Sequence, residues 1–182
     1  GTANNPYRGF VYTSFQERAT KVSHQNVSKL ARAAGDETLQ VICNTIASDE
    51  ARHERAYTKF MGYLFEQDPT GAVLAFRDVL QNQIVMPAQN MGGTGGPDLF
   101  EHFSAVAQRL GVYTAEHYAQ IVTHLVDRWR VESLAGLSGE AAAAQEYVCT
   151  LGPRYRRLAE RASRRATPMP PQAFSWIFGR AA

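Results

Sequence analysis

The stretch between Gly35 and Pro69 constrains the fold more than any other part of the sequence. Its apolar side chains recur every three or four residues, as in an amphipathic helix, and it contains no proline. Asp36 is a good N-cap with Glu37 in the first turn, and Asp68 followed by Pro69 predicts the end of the helix. A helix of roughly 30 residues is ~45 Å long, which is typical of a large helical bundle.

The rest of the chain has the same helical periodicity, without a convincing run of alternating strand residues. The other predicted helices cover about Thr13 to Ala34, Thr70 to Ala88, 98–110, 114–134, 139–150 and 153–166. Glycines predict a flexible loop at 91–98, and prolines predict a short non-helical C-terminal tail whose aromatic residues pack back on the bundle. We therefore expect an all-α bundle that forms a single domain portion over residues 1–182.

Composition and charge argue against several classes of function. The chain is 45% hydrophobic and 20% charged, as in soluble globular proteins, and its formal net charge of +2 gives no argument for nucleic acid. No apolar run approaches the ~20 residues that a membrane span needs. Cys43 and Cys149 lie far apart in helical patterns, which favours reduced core thiols over a disulfide. The first residues, GTANNPYRGF, contain no initiator Met and no signal or transit segment, so we interpret them as lying inside a larger protein.

The segment ASDEARHERAYTK, residues 47–59, carries candidate functional residues on the long helix. Glu50 and His53 are three residues apart and therefore share one face, where they continue an apolar stripe that includes Ile46 and Tyr57. On the preceding helix Glu17 shares a face with two other polar residues, Thr20 and His24. A tight turn at Gly35-Asp36 would make the two helices antiparallel and bring Glu17 and Glu50 to comparable heights.

A carboxylate on one helix and Glu-x-x-His on its neighbour form half of the ligand inventory of carboxylate-bridged di-iron bundles. Carboxylates neutralise the two ions, while one imidazole per ion leaves positions open for dioxygen. The alternative is chance, because Glu-x-x-His also occurs in surface helices that bind no metal. The sequence contains no second Glu-x-x-His and so offers half a site.

Longer blocks carry a more specific resemblance. The segments YTSFQERAT, ASDEARHERAYTK, HFSAVAQRLGVYTAEHYAQIV, LSGEAAAAQEYVC and FSWIF resemble the plant soluble acyl-[acyl-carrier-protein] desaturases of stearoyl type, in order and over essentially all 182 residues. This resemblance implies a ferritin-like di-iron helix bundle. It also implies that the chain is the C-terminal half of a protein about twice as long, whose other half supplies the second Glu and the second Glu-x-x-His.

The resemblance assigns roles to five residues. Glu17, Glu50 and His53 become iron ligands, with His53 terminal on one iron. Thr20 matches the active-site threonine near the oxygen-binding face, although a threonine that bonds its own i−4 carbonyl is an equally good interpretation of the sequence. Asp49 matches a residue that helps to deliver electrons toward the irons, and the alternative is an acid that orients the imidazole.

Five more positions resemble the lining of the narrow acyl channel of that family, although as isolated residues each would more often be plain core. They are Gly9, Phe10, Tyr12, Met86 and Phe100.

The implied activity is the insertion of a cis double bond into a saturated acyl chain on acyl carrier protein, as a step of fatty acid biosynthesis. Dioxygen and reduced ferredoxin are the implied co-substrates, and the implied setting is a homodimer in the chloroplast stroma. One rival interpretation is a catalytically inactive truncated fragment with at most a binding or structural role. A general ferritin-like oxidase or iron-storage protein is another, against which the desaturase blocks argue.

Two departures from the family pattern stand out, and one charge cluster is left over. Lys21 occupies a position where we expect an apolar or aromatic residue, and we expect its ammonium to reach outward to solvent. The loop MGGTGG also differs from the family pattern and could alter docking of the carrier protein. GPRYRRLAERASRRA carries six arginines, which either form a solvated helix face or attract an acidic carrier protein or ferredoxin.

Overall fold

A computed structural model describes residues 5–82 and 99–165, and for 99–102, 162 and 165 it describes the backbone alone. Within these ranges every regular element is helical: α1 (Pro6–Ala33), α2 (Glu37–Gln67), α3 (Pro69–Gln81), α4 (Leu99–Arg109), α5 (Ala115–Arg128), a 3-10 helix (Val131–Ser133) and α6 (Gly139–Arg165). The prediction of an all-α, ferritin-like helical bundle is confirmed. The predicted loop at 91–98 and the predicted tail lie outside the described residues.

Helix α1 begins seven residues earlier than the predicted start at Thr13. Asn5 is its N-cap and accepts hydrogen bonds from the backbone N–H groups of Tyr7 and Arg8, while Pro6 occupies the first helical position. An Asn cap followed by Pro favours a helix start because Pro lacks the N–H that would be unpaired there. The sequence signal Asn5-Pro6 therefore marks the start, and the predicted boundary was wrong.

The turn between α1 and α2 has the expected form. Gly35 adopts a left-handed conformation with φ 77°, and its N–H donates to Arg32 O at 3.1 Å while the N–H of Asp36 donates to Ala31 O at 2.9 Å. These two bonds define a Schellman motif, which ends α1. Asp36 then caps α2 by accepting from the N–H of Leu39, so the two long helices form an antiparallel hairpin.

Three other predicted boundaries were wrong. Helix α3 ends at Gln81 rather than near residue 88. Helix α5 ends at Arg128 rather than 134, because Trp129 anchors in the core and Arg130 takes a left-handed conformation with φ 50°. Helix α6 runs without a break through Pro153, where two helices were predicted.

The core lies between the α1–α2 hairpin and the helices α3, α5 and α6. Trp129 packs against the rings of Phe65 and Phe76, with ring centroids 5.4 Å and 4.9 Å away, and its indole N–H donates to Thr58 O at 3.0 Å. The largest fully buried side chains are Phe15, Phe76, Met61, Leu80, Ile121, Leu125 and Leu151. This core fixes one side of the hairpin and leaves another side of it without a covering helix among the described residues.

Two further expectations can be compared with the fold. Cys43 and Cys149 are free thiols, as predicted. Among the described helices, none combines the length and the apolarity that crossing a membrane requires.

Candidate metal centre

The open side of the α1–α2 hairpin brings together Glu17, Glu50 and His53. The imidazole Nδ1 of His53 lies 3.2 Å from Glu17 Oε2 and 3.3 Å from Glu50 Oε2. One ligand atom from each of the three residues lies within 4.8 Å of the other two. The His53 side chain is 57% exposed, whereas those of Glu17 and Glu50 are 18% and 19% exposed, so the cluster opens on the histidine side.

The negative charges of the Glu17 and Glu50 carboxylates repel each other. Burial, together with the hydrogen bond and negative charge of Glu50, raises the pKa of Glu17 to about 7 in spite of the opposing effect of His53. Two carboxylates this close cannot both ionise freely without a compensating positive charge. A divalent cation would supply that charge, and two carboxylates with one imidazole are suitable donors for it. The donor set thus fits a metal ion, and the ligand role of the three residues remains a prediction.

Thr20 lies one turn after Glu17, and its hydroxyl is already used within the helix. It donates to Gln16 O and Glu17 O, both at 3.0 Å. This is the back-bonded arrangement that the sequence left open as an alternative. The side chain is half-buried, and a catalytic role for it remains a prediction.

Asp49 lies beside the cluster rather than in it. Its carboxylate pairs with Arg52 on the surface of α2, and the side chain is 45% exposed. The described contacts of the His53 imidazole are to Glu17 and Glu50, so the interpretation of Asp49 as the acid that orients this ring has no support in the geometry. A role of Asp49 in electron delivery remains a prediction.

Three of the five predicted channel residues lie on the first turns of α1. The ring of Phe10 packs against those of Tyr57 and Phe60 on α2, with centroids 6.3 Å and 5.7 Å apart. Gly9 is exposed and has open space around it, and Tyr12 is 36% exposed. The other two, Met86 and the side chain of Phe100, lie outside the described residues.

An apolar stripe of exposed and half-buried side chains continues the cluster along α2. Its members recur every three or four residues and are Leu39, Ile42, Ile46, Tyr57 and Phe60, with Glu50 and His53 in the middle. Ile42 is 49% exposed and Phe60 is 50% exposed, which is unusual for large apolar side chains at helix-packing positions. We call this surface the open face.

The sequence analysis missed the role of Glu54 and misplaced Lys21. Glu54 is buried and lies on the core side of α2, where it pairs with Arg18, Lys21 and His124. The expectation that the Lys21 ammonium reaches outward was wrong, because the buried carboxylate of Glu54 holds it inside. A signal was available, since Glu54 falls on the same stripe as the core residues Ala47 and Met61.

Comparison with known proteins now decides the family. A sequence model described as "Fatty acid desaturase" matches residues 1–178. The chain belongs to the fatty acid desaturase family. It is 60% identical over 179 residues to Stearoyl-[acyl-carrier-protein] 9-desaturase, chloroplastic, of Spinacia oleracea, covering 98% of this chain and 45% of that protein.

Other relatives give the same result. The chain is 58% identical to the protein of the same name from Ricinus communis and 58% identical to Acyl-[acyl-carrier-protein] desaturase, chloroplastic, of Cucumis sativus, in both cases over 179 residues, 98% of this chain and 45% of the relative. The chain thus spans about half the length of the curated relatives it matches. Membership in the fatty acid desaturase family favours the desaturase interpretation over iron storage.

Proposed function

We propose that this chain is the C-terminal portion of an acyl-[acyl-carrier-protein] desaturase, which inserts a cis double bond into a saturated acyl chain. The observation that carries the proposal is the convergence of Glu17, Glu50 and His53 on the open face of a chain that is 60% identical to a stearoyl-carrier-protein desaturase. A half-site that faces outward is what this chain would present if other helices of the same enzyme covered it.

The donor set supports half of a di-iron site. Two-iron carboxylate bundles use a Glu from each of two helices and Glu-x-x-His from each of two others. Helix α1 supplies the first type with Glu17, and α2 supplies the second type with Glu50 and His53. The complementary pair would lie against the open face, and its apolar stripe would then become core.

Bound iron would supply the activation of dioxygen that side chains alone cannot provide, so that dioxygen could oxidise an unactivated C–H bond. In the balanced reaction the two hydrogens removed from adjacent methylenes, two electrons and two protons reduce one dioxygen to two waters. Reduced ferredoxin is the proposed electron donor. The side chains of Glu17 and Glu50 would hold negative charge against the metal, and His53 would add a neutral donor.

The desaturase must hold the acyl chain in a fixed position to select one pair of methylenes. Methylenes along a saturated chain differ only in location, so the geometry of the binding site must select which pair reacts. The aromatic group formed by Phe10, Tyr57 and Phe60 lies on the open face close to the start of α1 and could line such a channel. The hydroxyl of Thr20, one turn from Glu17, would need to leave its backbone acceptors to contact a reactant.

Charges on α6 suggest where acyl carrier protein would dock. Arg154, Arg157 and Arg161 are exposed on this helix, and such a basic surface attracts an acidic partner over long range. The relatives are labelled chloroplastic, so we propose a plastid location and, by the same resemblance, a homodimer.

A chimera tests the proposal directly. The N-terminal part of the Spinacia oleracea enzyme, up to the start of the matched region, is joined to this chain and supplied with iron, reduced ferredoxin, dioxygen and stearoyl-carrier protein. We expect a monounsaturated product from the chimera and none from this chain alone, because the chain alone holds three of the six donors.

Two controls make the result interpretable. The same chimera with Glu50→Gln should lose nearly all turnover while remaining folded by circular dichroism. A folded, iron-loaded chimera without product would contradict the desaturase proposal and favour the rival interpretation, a chain with at most a binding or structural role.

A further inference from the structure

Directly behind the metal donors lies a second cluster of charged groups centred on the carboxylate of Glu54. Its side chain is 8% exposed. Arg18 donates to Oε1 at 2.6 Å, Lys21 donates to Oε2, and His124 Nε2 lies 3.3 Å from Oε1. Burial alone would raise the pKa of Glu54, but the hydrogen bonds from His124, Lys21 and Arg18 hold it at about 2. Basic groups from α1 and α5 thus contact both oxygens of this carboxylate.

The cluster has the same register as the donor set. Arg18 and Glu54 are 36 residues apart in sequence, and so are Glu17 and His53. Arg18 directly follows Glu17 on α1, and Glu54 directly follows His53 on α2. Because the backbone of a helix is rigid, a rotation or slide of α2 that moves Glu54 must also move His53.

Lys21 adds a second ion pair across the hairpin. It lies one turn after Glu17 on α1, and Glu54 lies one turn after Glu50 on α2, but because the helices are antiparallel these two offsets run in opposite directions. The Lys21 side chain is only 16% exposed, and an ammonium so placed needs its anionic partner. The bond between Lys21 and Glu54 therefore joins the two helices at the same height as the donors.

Helix α5 holds the cluster from a third direction. His124 reaches Glu54 from α5, and the indole of Trp129 binds the backbone carbonyl of Thr58, one turn further along α2. The stretch of α2 that carries Glu50 and His53 is thus attached to α5 as well as to α1.

We propose that Glu54 and Lys21 are positioning residues of the metal centre, which fix the rotation of α2 against α1 so that Glu17 meets Glu50 and His53. They touch neither metal nor substrate and act through the helices. The inference rests on the proposed function because it concerns the same donors. The claim that Glu54 and Lys21 set the contact between His53 and Glu17 also applies to the metal-free chain. Lys21 is the more informative member because Arg18 and His124 still pair with Glu54 when Lys21 is replaced.

The test compares single variants in the metal-free chain and with Co²⁺ as the probe. Lys21→Met keeps the length of the side chain and removes its charge, Lys21→Arg restores the charge, and Glu54→Gln removes the central carboxylate. Arg77→Met is the control, because the half-buried Arg77 of α3 also joins two helices, through an ion pair with the exposed Glu140 of α6, but lies away from the donors. Nuclear Overhauser contacts between the His53 ring and the Glu17 side chain report the geometry, and the visible absorption of Co²⁺ reports affinity.

We expect Lys21→Met and Glu54→Gln to lose the contact between His53 and Glu17 and to weaken Co²⁺ binding about tenfold or more, the usual effect of removing support behind a metal ligand. Lys21→Arg should restore both, and Arg77→Met should lower Tm without changing either. If Glu54→Gln does not fold, Lys21→Met decides, because Arg18 and His124 still satisfy Glu54 in that variant.

Retention of the His53–Glu17 contact in a Lys21→Met chain with lowered Tm would overturn the positioning role and leave a purely structural one. If the unmodified chain does not bind Co²⁺, the donor assignment under the proposed function fails, while the contact measurement still decides the positioning role.

Discussion

Ionisable side chains crowd residues 49–54 of α2, and the structure places them in three different environments. Asp49 and Arg52 pair on the surface. Glu50 and His53 face Glu17 across the hairpin. Glu54 points to the core side and is neutralised by basic groups from α1 and α5. Residues that are neighbours in sequence thus serve different purposes, because successive positions on a helix are rotated by ~100°.

The depressed pKa of Glu54 predicts a specific loss of stability in acid. Its pKa in the folded chain is about 2, below the ordinary value of 4.5, so the ionised form stabilises the fold above pH 4.5 and that contribution disappears as the pH falls toward 2. Glu54→Gln should remove this part of the pH dependence and lower the free energy of unfolding at pH 7 by about 2 kcal/mol or more. Urea unfolding between pH 3 and pH 7 measures both effects. If the free energy of unfolding falls equally steeply with decreasing pH in the unmodified chain and in Glu54→Gln, the depressed pKa of Glu54 is contradicted.

His53 is expected to be indispensable for iron in the completed enzyme. In the chimera described above, His53→Ala should lower iron per chain by about half, because one of two neutral nitrogen donors is lost, and should abolish most turnover. His24→Ala is the control, since His24 lies on α1 outside the donor cluster. Elemental analysis gives the iron content. Full iron and normal turnover in His53→Ala would exclude it as a ligand.

At the scale of elements, the contact between α5 and α6 explains why α6 continues through Pro153. Gly152 is buried, and a Cβ at this position would lie 2.3 Å from Thr123 Oγ1 on α5. The missing side chain lets the two helices approach closely. Leu151 is buried before Pro153, and after it the ring of Tyr155 packs against an aromatic ring of α5 with centroids 5.3 Å apart, so packing on both sides of Pro153 outweighs the hydrogen bond that proline cannot donate.

Gly152→Val should therefore separate α5 from α6. Since its side chain must displace the Thr123 hydroxyl, which already donates to Ala119 O, we expect a loss of about 1–3 kcal/mol in the free energy of unfolding. Gly62→Val is the matched control, because Gly62 also lies inside a helix but has open space around it. Thermal unfolding followed by circular dichroism compares the two. Equal shifts in Tm would show that close approach is not the reason for Gly152.

At the scale of the whole molecule, the helices among residues 5–82 and 99–165 cover the core side of the hairpin and leave the side of the predicted donors open. The open face carries large apolar side chains that soluble proteins normally cover. We expect this chain, expressed alone, to self-associate through that face with rising concentration. Sedimentation velocity should show the association, and Ile42→Glu or Phe60→Glu should reduce it.

Leu158→Glu provides the control for that measurement, because Leu158 is 49% exposed on α6, away from the open face. The substitution should leave the association unchanged. An equal effect of Leu158→Glu would show that association is nonspecific and does not depend on the open face.

The sequence by itself determined the helical class and the hairpin, and it singled out the three predicted donors. Periodicity defined α1 and α2, Gly35 and Asp36 defined the turn between them, and the three-residue spacing of Glu50 and His53 placed both on one side of α2. These features are local, since they depend on residues within a turn or two of each other. The long segments that match the family added the fold and the expected activity.

Tertiary structure alone decided the role of Glu54 and Lys21, the end of α5 at Trp129 and the continuity of α6 through Pro153. Each depends on partners that are distant in the chain. A carboxylate can be buried only where cations from other helices converge on it, and a proline can remain inside a helix only where packing on both sides stabilises it. Such contacts have no local pattern in the sequence, because the chain creates them only when its helices pack.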